Sequence, residues 1–114
     1  MEEIKVGEYV RTDCGTIIKV KKIEKDEETK DIWYYEGFCL GAWKSRVVKH
    51  SPNIIDLIEV GDYVNGYKVR ATYLEGERQY IKFEKLNDIR MYEKDIDSIV
   101  THEQYNSIKY VIGE

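Results

Sequence analysis

The chain repeats itself. Residues 4–10, Ile4-Lys5-Val6-Gly7-Glu8-Tyr9-Val10, align at an offset of 54 with residues 58–64, Ile58-Glu59-Val60-Gly61-Asp62-Tyr63-Val64, and five of the seven positions are identical. Further along, Val47-Val48-Lys49-His50 aligns with Ile99-Val100-Thr101-His102 at an offset of 52. Two matches in the same order and at nearly the same spacing indicate a duplicated unit of roughly 50 residues. This places a first unit at 1–51, a short connection at 52–58 and a second unit at 59–114. A lone unit of about 50 residues has a marginal core, so two joined by a few residues gain by packing on each other.

Each unit reads as all-β. Gly7 and Gly61 stand where the chain enters a strand, and the Tyr-Val that follows is strongly strand-forming. In the first unit, Asp13-Cys14-Gly15 signals a turn between residues 9–12 and the β-branched run 16–23. A second turn at 26–29 leads to a strand over 32–38, and residues 44–50 form a fourth. The second unit follows with Tyr63-Val64, a turn at Asn65-Gly66, strands over 67–74 and 78–84, a loop at 86–88 and a strand over 89–92. Asn-Gly between two such runs is a strong hairpin signal. Ser51-Pro52-Asn53 opens one helical turn, with Ser51 as its cap and Pro52 at the first helical position. Five short strands and a helical turn in about 50 residues resemble an SH3-like barrel of the KOW or Tudor type. The expected fold is therefore two tandem small SH3-like barrels from an internal duplication.

Composition removes several classes. Ten tyrosines, two tryptophans and β-branched residues spread along 114 residues argue against disorder. No apolar run approaches the ~20 residues of a membrane span, and Met1 leads into Glu2 and Glu3, so neither a membrane segment nor a signal peptide is expected. Cys14 and Cys39 form no zinc framework, and a reducing cytoplasm is the expected setting. Basic and acidic residues number 10 and 11 in residues 1–58, and 8 and 11 in residues 59–114. The strongest basic stretch, Lys19, Lys21, Lys22 and Lys25, runs at once into Asp26, Glu27 and Glu28, which cancel the field a polyanion would need. That segment reads as a solvated hairpin tip.

No catalytic constellation stands out. The equivalent histidines, His50 and His102, suggest a metal, but zinc needs three or four ligands. The expectation is that each ends a strand and bonds a backbone group. Neither cysteine has a base or an oxyanion site in its local sequence. No phosphate-cradling loop is present, because the eight glycines are scattered singly. No cofactor, no metal and no enzymatic activity are expected.

The aromatic residues carry more. In the strand over 32–38, Ile32, Tyr34, Glu36 and Phe38 point one way and Trp33, Tyr35 and Gly37 the other. One face enters the core, and the other meets the second unit or a partner. Trp33 and Tyr35, with Trp43 and Arg46 nearby, are residue types that dominate protein–protein hot spots. They are the candidate partner-binding residues.

Residues 48–66, the opening 4–12 and the closing segments 93–96 and 98–105 also resemble a family of small, uncharacterised two-repeat proteins of phages and prophages of Gram-positive Firmicutes. The resemblance implies viral origin and action in the host cytoplasm, and it supplies no catalytic residues. The expected function is a non-enzymatic accessory protein that binds a host or defence-system protein, as an anti-CRISPR or other anti-defence inhibitor. The alternative is a nucleic-acid or nucleotide-binding module that stacks bases on its rings, against which a pI near 5.3 weighs. Mimicry of nucleic acid would need the 22 acids segregated onto one face.

Overall fold

The computed structural model describes residues 3–37, 40–76, 78–84 and 93–108. The expected loop at 86–88, the strand at 89–92, Phe38 and Cys39 lie outside them. The described residues are mostly β, with ten strands in three sheets and one short helix. The chain divides into two compact units, Met1–Leu57 and Ile58–Glu114.

The first unit holds two three-stranded antiparallel sheets. One has the order β2-β1-β6, from β1 (Tyr9–Thr12), β2 (Ile17–Lys19) and β6 (Val47–Ser51). The other has the order β3-β4-β5, from β3 (Lys22–Lys25), β4 (Ile32–Gly37) and β5 (Leu40–Trp43). The β-branched run expected as one strand is broken, because its two ends join different sheets. Val20 donates its N–H to Glu8 O at 2.7 Å, whereas the next residue, Lys21, donates to Tyr35 O at 3.0 Å. Val20 is fully buried at this corner, among Ile4, Val10, Ile18, Tyr34, Ala42 and Val47. Both sheets thus contribute to one core.

The expected strand over 44–50 also divides. Residues Lys44–Arg46 form a 3-10 turn, and β6 follows it. After β6, Ser51 Oγ accepts the Asn53 N–H at 3.0 Å and donates to Asp56 Oδ2 at 2.6 Å, opening a 3-10 turn over Ile54–Leu57. A helical turn does follow, but it starts at Ile54, two residues later than expected: Ser51 closes β6, and Pro52 lies in the bend between them and not at the first helical position. The fully buried Arg11 ties this turn to β1 by donating from Nη1 to Leu57 O at 2.9 Å.

The second unit holds one four-stranded sheet of order β10-β7-β8-β9, from β7 (Tyr63–Val64), β8 (Tyr67–Glu75), β9 (Arg78–Phe83) and β10 (Ile99–Val100). Val64 pairs with Tyr67 across Asn65-Gly66, and both loop residues have positive φ, 51° and 85°. That is the two-residue hairpin the dipeptide predicts. The core is Ile58, Val64, Val69, Ile81 and Phe83, with Ile96 and Ile99 packed on it. Helix α1 (His102–Ile108) follows β10. Thr101 caps it: its Oγ1 accepts the Gln104 N–H at 3.3 Å, and Gln104 Oε1 accepts the Thr101 N–H at 3.1 Å.

The opening motif is built alike in both units. Gly7 N–H bonds Val20 O and Gly61 N–H bonds Val69 O; Val20 N–H bonds Glu8 O and Val69 N–H bonds Asp62 O. Gly7 and Gly61 adopt φ of 99° and 95°, a region open to glycine. The closing motif does not superpose as its letters align. Val10 pairs with His50, but its counterpart Val64 pairs with Ile99, three positions before His102. Val48 and Val100 both face outward, at 50% and 37% exposure, not into the cores. The aligned positions still face alike, since Val47 is buried and Ile99 packs on its core; it is the cross-strand partner that differs.

Candidate partner-binding site

Strand β4 separates its side chains by alternation. Tyr34 turns into the core, opposite Ile23 and Ala42, while Trp33 and Tyr35 turn to the other face. On that face Trp33 stands opposite Glu24 on β3 and Trp43 on β5, and Tyr35 stands opposite Lys22 and Gly41. The Trp33 and Trp43 rings meet with centroids 4.9 Å apart and planes inclined at 55°. Trp33 also covers Gly41 closely: a Cβ built on Gly41 would fall within 3.0 Å of three atoms of the indole. Glycine there is a steric requirement for the ring to reach across β5.

Three grooves surround the pair. One of about 610 Å³ is lined by Trp33, Tyr35, Lys21, Lys22, Glu24 and Glu36, together with Gly37. A second of about 330 Å³ lies among Trp33, Trp43, Glu24, Lys25 and Asp26. A third of about 350 Å³ lies between Trp43, Arg46, Ser45, Asp31, Asp26 and Thr29. The structure thus brings Trp33, Tyr35 and Trp43 onto one sheet face. It places Arg46 on the wall of the third groove, ion-paired with Asp13 at 3.3 Å. Four bases (Lys21, Lys22, Lys25, Arg46) alternate with four acids (Glu24, Asp26, Asp31, Glu36) around the rings. The basic strand β3 is exposed along its length, as a solvated hairpin would be.

Asp31 fixes the rim. Its Oδ2 accepts the Ser45 hydroxyl at 2.6 Å and its Oδ1 the Ile32 and Ser45 N–H groups, so it anchors the turn that carries Arg46 beside Trp43. The Ser45 hydrogen bond leads the influences on its carboxyl and, with those N–H donors and nearby Lys44, holds it below the ordinary value. Sequence reasoning missed Asp31 and Gly41. The short strand Leu40–Trp43 had no turn signal on either side, so nothing showed which residue would lie under Trp33.

The remaining sequence candidates lie elsewhere. Cys14 is exposed in the β1–β2 loop, its thiol bonded to Thr12 and Thr16 hydroxyls at 3.2 and 3.5 Å. Those hydrogen bonds hold its pKa below the ordinary thiol value, and neither hydroxyl is a base. The histidines bond carboxylates, not the backbone groups expected for their rings. His50 Nδ1 lies 3.0 Å from Glu8 Oε1, and His102 Nε2 lies 2.9 Å from Glu59 Oε1 and 3.2 Å from Glu103 Oε1. Nor do they occupy equivalent places: His50 lies within β6 and His102 opens α1. No helix among the described residues is long and apolar enough to cross a membrane. Comparison with protein-family models, curated proteins and solved structures finds no match.

Proposed function

We propose that this chain is a non-enzymatic binding protein of two tandem SH3-like barrels, which docks on a protein partner through the face formed by Trp33, Tyr35 and Trp43. The observation that carries this reading is the Trp33–Trp43 pair on a sheet face turned away from the core, with Trp43 38% exposed and grooves on both sides. Large rings presented at low entropic cost and ringed by mixed charge suit a protein surface. A polyanion would select for an excess of bases, which this rim lacks. The recurring hydrogen bonds around Gly7 and Gly61 support the duplication. The resemblance of residues 4–12 and 48–66 to phage proteins directs the partner to a host or defence-system protein in the cytoplasm, of which CRISPR effectors are one class.

Affinity capture from lysate of a Gram-positive host tests the reading. The wild type should retain a discrete protein, and Trp33→Ala/Tyr35→Ala should lose it at least tenfold, while the surface control Val48→Ala retains it. Capture that ignores the rings overturns the assignment of the face. Binding to RNA or DNA that persists at moderate salt, with no protein retained, transfers the function to the nucleic-acid alternative.

A further inference from the structure

We propose that Glu59, His102 and Glu103 form a site for a divalent transition-metal ion of zinc-like preference in the second unit, independent of the aromatic face. The ligand atoms of the three side chains lie within 4.8 Å of one another. His102 Nε2 is the hub, 2.9 Å from Glu59 Oε1 and 3.2 Å from Glu103 Oε1. Nitrogen and oxygen ligands bind Zn²⁺ at about 2.0–2.2 Å, which places neighbouring ligands of a tetrahedral ion roughly 3.3–3.6 Å apart. Small side-chain adjustments bring all three donors to that spacing.

The second unit holds these ligands in place from behind. The carboxylate of Asp62 is fully buried, and it accepts the Glu59 N–H through Oδ2 at 2.7 Å and the His102 N–H through Oδ1 at 2.9 Å. One buried side chain therefore fixes the backbone of two ligands that lie 43 residues apart in sequence. Gly61 sits directly beside His102, where an added Cβ would stand in van der Waals contact, 3.4 Å from His102 Cβ. Outer contacts of this kind orient metal ligands and set affinity.

The first unit has the same turn without the ligand set. Glu8 Oε2 accepts the Lys5 N–H at 2.6 Å, as Asp62 accepts that of Glu59. There the side chain at the position of Glu59 is Lys5, and the longer Glu8 reaches His50 itself. Shortening Glu8 to Asp62 and replacing Lys5 by Glu59 redirects the carboxylates toward His102. One imidazole and two carboxylates favour a borderline ion, and three protein ligands leave a position for water or a further ligand.

Isothermal titration with Zn²⁺ in a Cys14→Ser/Cys39→Ser background, which removes thiol competition, tests the site. One equivalent should bind. Glu103→Gln and Glu59→Gln should each weaken binding at least tenfold, with the far-UV spectrum of Glu103→Gln unchanged. No saturable binding, or binding that both variants leave within twofold, overturns the proposal. A measurement on the unmutated ligands removes any dependence on how the variants fold. In ¹H–¹⁵N spectra, Zn²⁺ should shift the Nε2 resonance of His102; a shift confined to His50 also overturns the proposal.

Discussion

The Trp33 indole lies so close over Gly41 that a Cβ on that glycine would stand 2.6 Å from its Cε2 and nearer still to Cζ2. The contact joins β4 to β5 through a side chain as well as the ladder, and it aims the ring at Trp43. Gly41→Ala should therefore displace Trp33, shift the intrinsic fluorescence and reduce stability by about 1–3 kcal/mol. Gly37→Ala, where an added Cβ meets nothing within 4 Å, should do little. Equal effects from the two substitutions in urea unfolding would show that the ring is not held by Gly41.

Val10 and Val64 are both 0% exposed, whereas Val48 and Val100 face outward. Val10→Ala and Val64→Ala should each cost on the order of 1–3 kcal/mol, and Val48→Ala and Val100→Ala no more than about 0.5 kcal/mol. Chemical denaturation of the four variants checks these faces directly. Large losses at Val48 or Val100 would show that those side chains enter the cores.

Gly66 sits at φ 85° in a loop that also depends on Asn65. The Asn65 Oδ1 accepts the N–H groups of Asp97 and Ser98 at 2.7 and 3.0 Å, and its Nδ2 donates to Asp95 O at 2.8 Å. Gly66→Ala should cost about 1–2 kcal/mol through backbone strain. Asn65→Ala should cost at least as much, because it frees the segment that leads into β10. Hydrogen exchange at Asp97 and Ser98 should accelerate in Asn65→Ala and stay slow in Gly66→Ala.

Acid should destabilise the first unit through two carboxylates. Burial raises the Glu8 carboxyl, but hydrogen bonds from His50 and the Lys5 N–H, with the charges of both residues, outweigh it and leave Glu8 below its ordinary 4.5. Asp31 is held below its ordinary 3.8 by the Ser45 hydroxyl, helped by its backbone donors and Lys44. A carboxyl with a depressed folded-state pKa stabilises the protein above its ordinary value and loses that contribution as pH falls through the folded value. The urea midpoint should therefore drop as pH is lowered below 4.5, and Glu8→Gln should flatten part of that decline while being less stable at neutral pH. A midpoint that rises on acidification would contradict the sign.

The opening turns, the Asn65-Gly66 hairpin, the turn at Ser51 and the β-rich character were legible because each follows from a few adjacent residues. Glycine at positive φ, Asn-Gly, and a serine hydroxyl near its own backbone are local physics. The alternation that puts Trp33 and Tyr35 opposite Tyr34 is equally local. The Thr101–Gln104 capping box was legible in principle, but the match of His102 to His50 drew it into a strand ending.

What the letters could not supply is which strands become neighbours. The break at Val20-Lys21 arises because one residue bonds Glu8 and the next Tyr35, partners distant in sequence that a continuous β-branched run cannot distinguish. The same holds for Gly41 beneath Trp33, for Asp31 at Ser45, and for Asp62 between Glu59 and His102. Sequence by itself determined the local turns, most of the strand segments and the alternation that sorts Trp33 and Tyr35 from Tyr34. Only the tertiary structure decided the register and the partners of the strands, because those follow from cores and ladders closed between residues tens of positions apart.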